Sequence, residues 1–338
     1  MTPPALRMAP RDPREPHRVA SPLELLFDLC FVVAVAQASA HLHSGLTGAH
    51  FVRAIAGYLV VFFGIWWAWM NFTWFASAYD PDDVLYRLAV LVQIFGVLVL
   101  AAGVPRAFEH RDLSVTVAGY VIMRMGLVSL WLRAAASDPE GRRTALRYAA
   151  GVSTCQVGWI LLLALAASPW WLAGWLVLAA AEMLVPVWAE RARPTPWHPH
   201  HIAERFGLLT LIVLGESVTS ATVAIQSAIT GAAITPGLFV VIASGVLIVF
   251  SMWWLYFDQP AHHLLVDNHG AFVWGYGHLV VFASTAAVGA GLAAATDYAI
   301  GRSRLSLVQA VAVVAIPAAC YLASVWVLVI GPLRRPRG

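Results

Sequence analysis

The sequence predicts an all-α fold, a polytopic transmembrane helix bundle of about ten spans. Three observations carry that expectation. The 338 residues are 60% hydrophobic and only 12% charged, about half the charge of an ordinary soluble domain, and the mean hydropathy is +0.74. Apolar runs recur along the whole chain, each long enough to cross a hydrocarbon core of about 30 Å at about 1.5 Å per residue. The runs lack strict alternation, and lipid cannot satisfy open backbone groups, so helices are expected and not a barrel.

Taken in order, the chain opens on a polar tail, residues 1–21, rich in Pro and Arg (Arg7, Arg11, Arg14, Arg18). Span one, Leu23–Leu42, carries Glu24 and Asp28 and has no convincing cleavage site, so a retained helix is expected and not a signal peptide. The next four spans are Val52–Ala76, Val84–Val104, Leu113–Arg133 and Ala145–Ala166. The remaining five are Trp170–Ala189, Ile202–Ala228, Pro236–Phe257, Ala271–Ala295 and Leu305–Ile330, with a basic tail over residues 332–338. Tryptophans near several span ends (Trp66, Trp67, Trp170, Trp171, Trp253, Trp254) suit an interfacial belt. Ala287, Gly291 and Ala295 make a small-residue stripe, read as a helix-packing face.

All 21 basic residues are Arg, which we read as coding bias. Their distribution predicts orientation. With the N-terminus inside, 14 lie on the inner side: the four tail arginines, Arg133, Arg142, Arg143, Arg147, Arg191, Arg193, Arg205, Arg334, Arg335 and Arg337. Five, Arg53, Arg106, Arg111, Arg302 and Arg304, lie on the outer side. That bias places both termini in the cytoplasm of a bacterial inner-membrane protein, which requires an even number of spans. The net charge of +3 resides in the ends and loops and gives no reason to expect nucleic acid. Cys30, Cys155 and Cys320 all fall in apolar stretches, so no disulfide framework is expected.

A faint internal repeat aligns Phe27, Leu29 and Gln37 with Phe206, Leu208 and Glu216, and Trp66, Trp67, Asn71 and Asp80 with Trp253, Trp254, Asp258 and Asp267. It predicts parallel repeat units over residues 22–133 and 202–330 within a bundle over 22–331, related by an axis along the membrane normal. Chance alignment of apolar, Trp-containing helices is the alternative.

Ionisable groups inside spans are costly and mark where function is to be sought. Glu24 and Asp28, four apart, share one helix face near the inner end of span one, or simply offset the helix dipole there. Arg205 and Glu216, eleven apart, share a face in span seven, with Glu216 about 16 Å deeper. A carboxyl at that depth is expected to be protonated or paired. Arg124 in span four stays charged and needs a partner, for which Glu182 and Glu216 are the candidates. Such a pair also serves plain helix packing. His278 is read as a packed, neutral histidine. At the cytoplasmic rim the sequence collects Asp80, Asp82, Asp83, Arg87, Asp258 and Asp267, and a histidine-rich stretch. His200, His201 and Glu204 are the metal candidates there, since His200 and Glu204 are four apart, but no HExxH accompanies them. No cofactor is expected, and no P-loop, nucleotide fingerprint or nucleophile elbow occurs.

Two segments carry a family resemblance: Glu24-Leu-Leu-Phe27-Asp28-Leu-Cys-Phe31-Val, and Glu204-Arg205-Phe206-Gly207-Leu running to Gly215-Glu216. Together they resemble the bacterial low temperature requirement A (LtrA-like) family of multi-pass membrane proteins, across about Ser21 to Ile330. The resemblance implies that Glu24, Asp28, Glu204, Arg205, Gly215 and Glu216 match the family pattern, but brings no substrate. The expectation is a proton-coupled secondary transporter of a small solute. Glu216 would be the coupling group, with Glu24, Asp28 and Arg205 at the cytoplasmic half of the site. The alternatives are a membrane enzyme or lipid-acting protein using a rim polar or metal site, and a structural or sensory protein needed in the cold. The expected partners are the lipid bilayer and a small solute or proton, with oligomeric state left open.

Overall fold

The structure, a computed structural model, describes residues 8–15, 18–110, 112–231, 235–265 and 267–334. Arg7, Arg111, Arg335 and Arg337 lie outside the described residues, as does the side chain of Arg334. Among the described residues all regular structure is helical, and ten helices are long and apolar enough to cross a membrane. They are α1 (Pro22–Thr47), α2 (Phe51–Ala78), α3 (Val84–Glu109), α4 (Ser114–Ser137), α5 (Arg142–Leu163), α6 (Trp171–Glu190), α7 (Pro199–Thr230), α8 (Pro236–Phe257), α9 (Asn268–Ala299) and α10 (Leu307–Val325). The last continues through a π-helical turn, Trp326–Ile330.

Local chemistry sets where the helices begin. Asp83 accepts from the Tyr86 amide at the head of α3, and Asp267 from the Gly270 amide at the head of α9. Thr235 caps α8 just before Pro236, and Ser306 with Gln309 forms a capping box at α10. Ser21 and Glu24 cap α1 the same way: the Glu24 carboxylate accepts from the Ser21 amide at 2.7 Å, and the Ser21 hydroxyl accepts from the Glu24 amide at 3.3 Å. Outward faces are apolar, as lipid contact requires. On α3, Leu85, Leu88, Leu91, Val92 and Phe95 are all exposed, a stripe that water would penalise.

The chain divides into two compact units, one of Met1–Ala34 with Trp67–Ile202, the other of Val35–Trp66 with Ala203–Gly338. In the first, α3 packs on α4, α4 on α5 and α5 on α6. Glycine allows the closest of these approaches: a Cβ on Gly96 would lie 2.7 Å from the Gly119 carbonyl oxygen across the α3–α4 seam. In the second unit α9 packs against α8 and α10 and is the most enclosed helix. The predicted small-residue stripe does its packing there, since a Cβ on Gly291 would run into the α10 backbone at Val313.

One expectation needs correction. Trp66 and Trp67 are fully buried core residues, whereas Trp170, Trp253 and Trp254 are exposed as a belt requires. The polar N-terminal tail is docked: the Arg11 amide donates to the Ala78 carbonyl at 2.9 Å and Met8 is completely buried.

Candidate functional site

Two centres in the first unit gather buried ionisable groups. The first is built on the opening turns of α1. The capping box fixes the backbone of Glu24 and turns its carboxylate inward, where it is fully buried. Its Oε1 lies 3.0 Å from Nε2 of His201, also fully buried, at the start of α7. Its Oε2 lies 4.0 Å from the guanidinium of Arg18. Arg18 in turn sits 3.2 Å from Oδ2 of Asp80, in the α2–α3 connection, and donates to the Ala76 carbonyl. Arg11 reaches the same Asp80 oxygen at 3.6 Å and pairs with Glu15. One turn below Glu24, the buried Asp28 accepts from the indole N–H of the buried Trp69 at 2.6 Å. The α6–α7 connection closes over this end, with the His198 amide donating to the Ser77 hydroxyl and its ring bonded to the Glu15 carbonyl.

Asp80 is the least settled member of the centre. Burial pushes its carboxyl above the ordinary carboxylate range, and the neighbouring Glu24 adds to the rise, while Arg18 and Arg11 pull it back. Its Oδ1 is buried with no hydrogen-bond partner among the described residues. Asp83, three residues on, behaves in the opposite way: hydrogen bonds from Arg133 hold its carboxyl below the usual range. Asp82 is lowered by its pairing with Arg87 at 2.8 Å, on the exposed surface.

The second centre lies where α4, α5 and α6 meet. Glu182 is buried and receives four donors. Its Oε2 accepts from Arg124 at 2.9 Å and Tyr120 at 2.8 Å. Its Oε1 accepts from Gln156 at 2.9 Å and Trp159 at 3.1 Å. The open choice of partner for Arg124 is therefore answered by Glu182. Glu216 is half-buried on α7 and accepts from the hydroxyl of Ser220, one turn on, at 3.0 Å.

The other predicted residues are dispersed. Arg205 is fully buried on α7 one turn past His201, with Glu204 half-buried beside it. Asp267 caps α9, and Asp258 is exposed and accepts from Gln259. Both ring nitrogens of His278 are engaged, by the Trp274 carbonyl at 2.7 Å and the Tyr256 hydroxyl at 3.0 Å, as a packed histidine should be. His201 faces Glu24, and the His200 ring lies 5.9 Å from that of His198. Among the described residues no group of three or more His, Cys, Asp or Glu is placed to hold a metal ion.

Sequence reasoning missed Arg18, Trp69, Tyr120, Gln156 and Trp159. Gln156 and Trp159 carried a usable signal, since they are hydrogen-bonding groups three apart on one face of an otherwise apolar span. Arg18 and Trp69 carried none, because each is defined by a fold-back or a helix pairing.

The family model for the bacterial low temperature requirement A proteins matches residues 19–337. The chain belongs to that family. An uncharacterized protein of Rhizobium meliloti (strain 1021), RA0937, is 28% identical over 306 residues, covering 85% of this chain and 72% of that protein. No solved structure matches. Membership in the LtrA family and ten membrane-length helices make this a multi-pass membrane protein with lipid as its environment. Of the residues in the two segments that carry the resemblance, Glu24, Asp28 and Arg205 are all fully buried.

Proposed function

We propose that this LtrA family protein is a proton-coupled secondary transporter of a small solute in the bacterial inner membrane, with Glu24 and His201 as its coupling pair. The observation that carries the reading is the 3.0 Å contact between a fully buried carboxylate and a fully buried imidazole. A pair built only to hold helices together is well served by Arg, which keeps its charge. An imidazole partner can take up or release a proton, which a guanidinium cannot. Adding or removing one proton there changes the net charge of a low-dielectric centre, where the energetic consequence is largest.

Arg18 and Asp80 link the pair to Arg11 and Glu15, each about a quarter to a third exposed. The arginines hold the carboxyls of Asp80 and Glu15 close to the pair, and these two acids are the proton-carrying groups toward the loop surface. The Oδ1 of Asp80, which has no hydrogen-bond partner among the described residues, is the natural intermediate acceptor. A proton exchanged at His201 acts on α7, the helix that also carries Arg205 and Glu216. Glu216 is proposed as a second protonatable group on that helix. The arginine distribution supports both termini in the cytoplasm. Parallel units over residues 22–133 and 202–330 would supply the symmetry that alternating access uses.

The test is reconstitution into liposomes with an imposed pH gradient and a screen of radiolabelled small solutes. Wild type is expected to accumulate one of them. Glu24→Gln keeps the size and hydrogen bonding of the side chain but cannot carry the proton. It is expected to lose gradient-driven accumulation while retaining solute exchange. Accumulation by the Gln variant at the wild-type rate would remove Glu24 from the coupling mechanism.

A further inference from the structure

The second half of α7 departs from the apolar outer faces of α3 and α8. At about 100° per residue, Glu216, Thr219, Ser220, Gln226, Ser227 and Thr230 fall within an arc of about 120°, with Val223 among them, and the stripe runs for about 21 Å along the helix. Thr219, Gln226, Ser227 and Thr230 are exposed, and Glu216 and Ser220 are half-buried. The face that carries Ser217 packs inward instead, where the Ser217 hydroxyl donates to the Thr285 carbonyl of α9 at 2.9 Å. The flank toward α8 is largely apolar: Val218, Ala221 and Ile225 line a groove there with Val246 and Phe250. Threonines bonded back to their own helix are tolerated by lipid. A carboxyl and a side-chain amide on the same face are costly there, and such groups ordinarily face a water-filled cavity.

The stripe presents acceptors. The Thr219 and Thr230 hydroxyls donate to the Gly215 and Gln226 carbonyls at 3.0 and 2.8 Å, and the Ser220 hydroxyl donates to Oε1 of Glu216 at 3.0 Å. Each of these hydroxyls has its proton engaged and offers oxygen lone pairs outward. Oε2 of Glu216 and the side-chain amide of Gln226 have no hydrogen-bond partner among the described residues, and no cation is paired with Glu216 among them. At the far end the exposed Arg302 donates to the Ser227 hydroxyl at 3.1 Å, eleven residues and about 16 Å along the helix from Glu216. Acceptors gathered around a carboxylate suit a solute that is rich in donors and positive in charge. An anion would meet Glu216 without a counter-charge.

We propose that this stripe lines a water-filled site for a small organic cation, a protonated or quaternary amine, held at Glu216. On the transport reading, on which the assignment rests, that cation is the solute. The test itself needs no transport. In a Cys30→Ser/Cys155→Ser/Cys320→Ser background, Thr219→Cys, Val223→Cys and Ser227→Cys sample the stripe, and Val218→Cys and Ile225→Cys sample the apolar flank. Each variant is reacted in liposomes, in mildly alkaline buffer where thiols and carboxyls ionise, with two water-soluble methanethiosulfonates. One carries a trimethylammonium group and is itself a small organic cation. The other carries a sulfonate. Rates are normalised to those of a free thiol. The stripe variants are expected to react and the flank variants are not, because a thiol set against lipid does not meet a water-soluble reagent. At Thr219→Cys the cationic reagent should be favoured by about tenfold, the effect of a carboxylate a few ångströms away in a wet site. The preference should shrink toward Ser227→Cys, beside Arg302. Adding Glu216→Gln, whose amide oxygen can still accept from Ser220, should erase the preference and leave the reactivity. Equal normalised rates for both reagents at Thr219→Cys would overturn the cationic class. Stripe variants as unreactive as Val218→Cys would overturn the site, and disulfide-linked copies formed by those variants on oxidation would make the stripe a contact between two chains. Cation-selective labelling in a protein that moves no solute would uphold the site and remove the transport reading.

Discussion

Glu182 and Glu24 are both buried carboxylates in the same unit, each within reach of an arginine, yet their surroundings prepare them for different work. Glu182 spends both oxygens on fixed donors: Arg124, Tyr120, Gln156 and Trp159, from α4 and α5. These bonds tie α4, α5 and α6 together. Glu24 meets Arg18 only at 4.0 Å and has His201 at 3.0 Å. Its partner can gain or lose a proton, and its next neighbour, Asp80, is an acid already shifted upward by burial. Burial alone therefore does not mark a functional carboxylate. What distinguishes the two is the partner: fixed hydrogen-bond donors at Glu182, an imidazole at Glu24.

The largest effect that would break this comparison is at Glu182. Glu182→Ala leaves the Arg124 guanidinium buried without its counter-ion. Breaking one side of a buried pair costs about 3–5 kcal/mol. The expected outcome is loss of the folded protein in detergent, read as the midpoint of thermal unfolding. Arg124→Met combined with Glu182→Met should recover much of that loss, because removing both charges leaves no stranded ion. A double variant as unstable as the single one would mean the pair is not the unit of stability.

A smaller effect separates the two centres by kind. Trp69→Phe keeps the ring but removes the indole donor from the buried Asp28 carboxylate, a loss of about 1–3 kcal/mol for a charged acceptor. Glu24→Gln should cost less, because the amide oxygen of the new side chain can take the place of the carboxylate oxygen that caps the Ser21 amide. Stability should thus fall more in Trp69→Phe, while pH-gradient-driven transport should fall only in Glu24→Gln. Comparing unfolding midpoints with uptake in the same preparations checks both halves.

How far the sequence foretold this arrangement depends on which physical rule each feature obeys. The helices were legible because hydrocarbon thickness sets a minimum length. Pro236–Phe257 is recovered to the residue, since Pro and a capping Thr mark its start. Other helices overrun their apolar spans: α1 continues to Thr47 and α7 begins at Pro199, because a helix does not stop where the hydrocarbon does. That Arg124 needs an acid followed from its charge. That the acid is Glu182 depends on the register of α6 against α4, which no local pattern encodes. Trp66 and Trp67 were misread because a tryptophan near a span end looks the same whether it faces lipid or core. The docked tail, and with it Arg18, was invisible because its polar composition equally describes a free one.

The smallest effect tests the loop that joins the centre to the surface. Asp80 and Asp83 are three residues apart but shifted in opposite directions, so they must contribute to stability at opposite ends of the pH scale. Asp83, lowered by Arg133, stabilises the fold above the ordinary aspartate value of about 4, and that contribution is lost as pH falls below it. Asp80, raised by burial and by Glu24, is best tolerated while protonated, so its contribution is lost as pH rises above that same value. Asp80→Asn should therefore flatten the decline in unfolding midpoint above about pH 4 and leave the acid limb in place. Asp83→Asn should do the reverse, lowering stability at neutral pH and removing part of the acid limb. If Asp80→Asn instead lowers the midpoint at every pH alike, then its bond to Arg18 outweighs its burial, and the proton route from the loop to Glu24 would have to bypass Asp80.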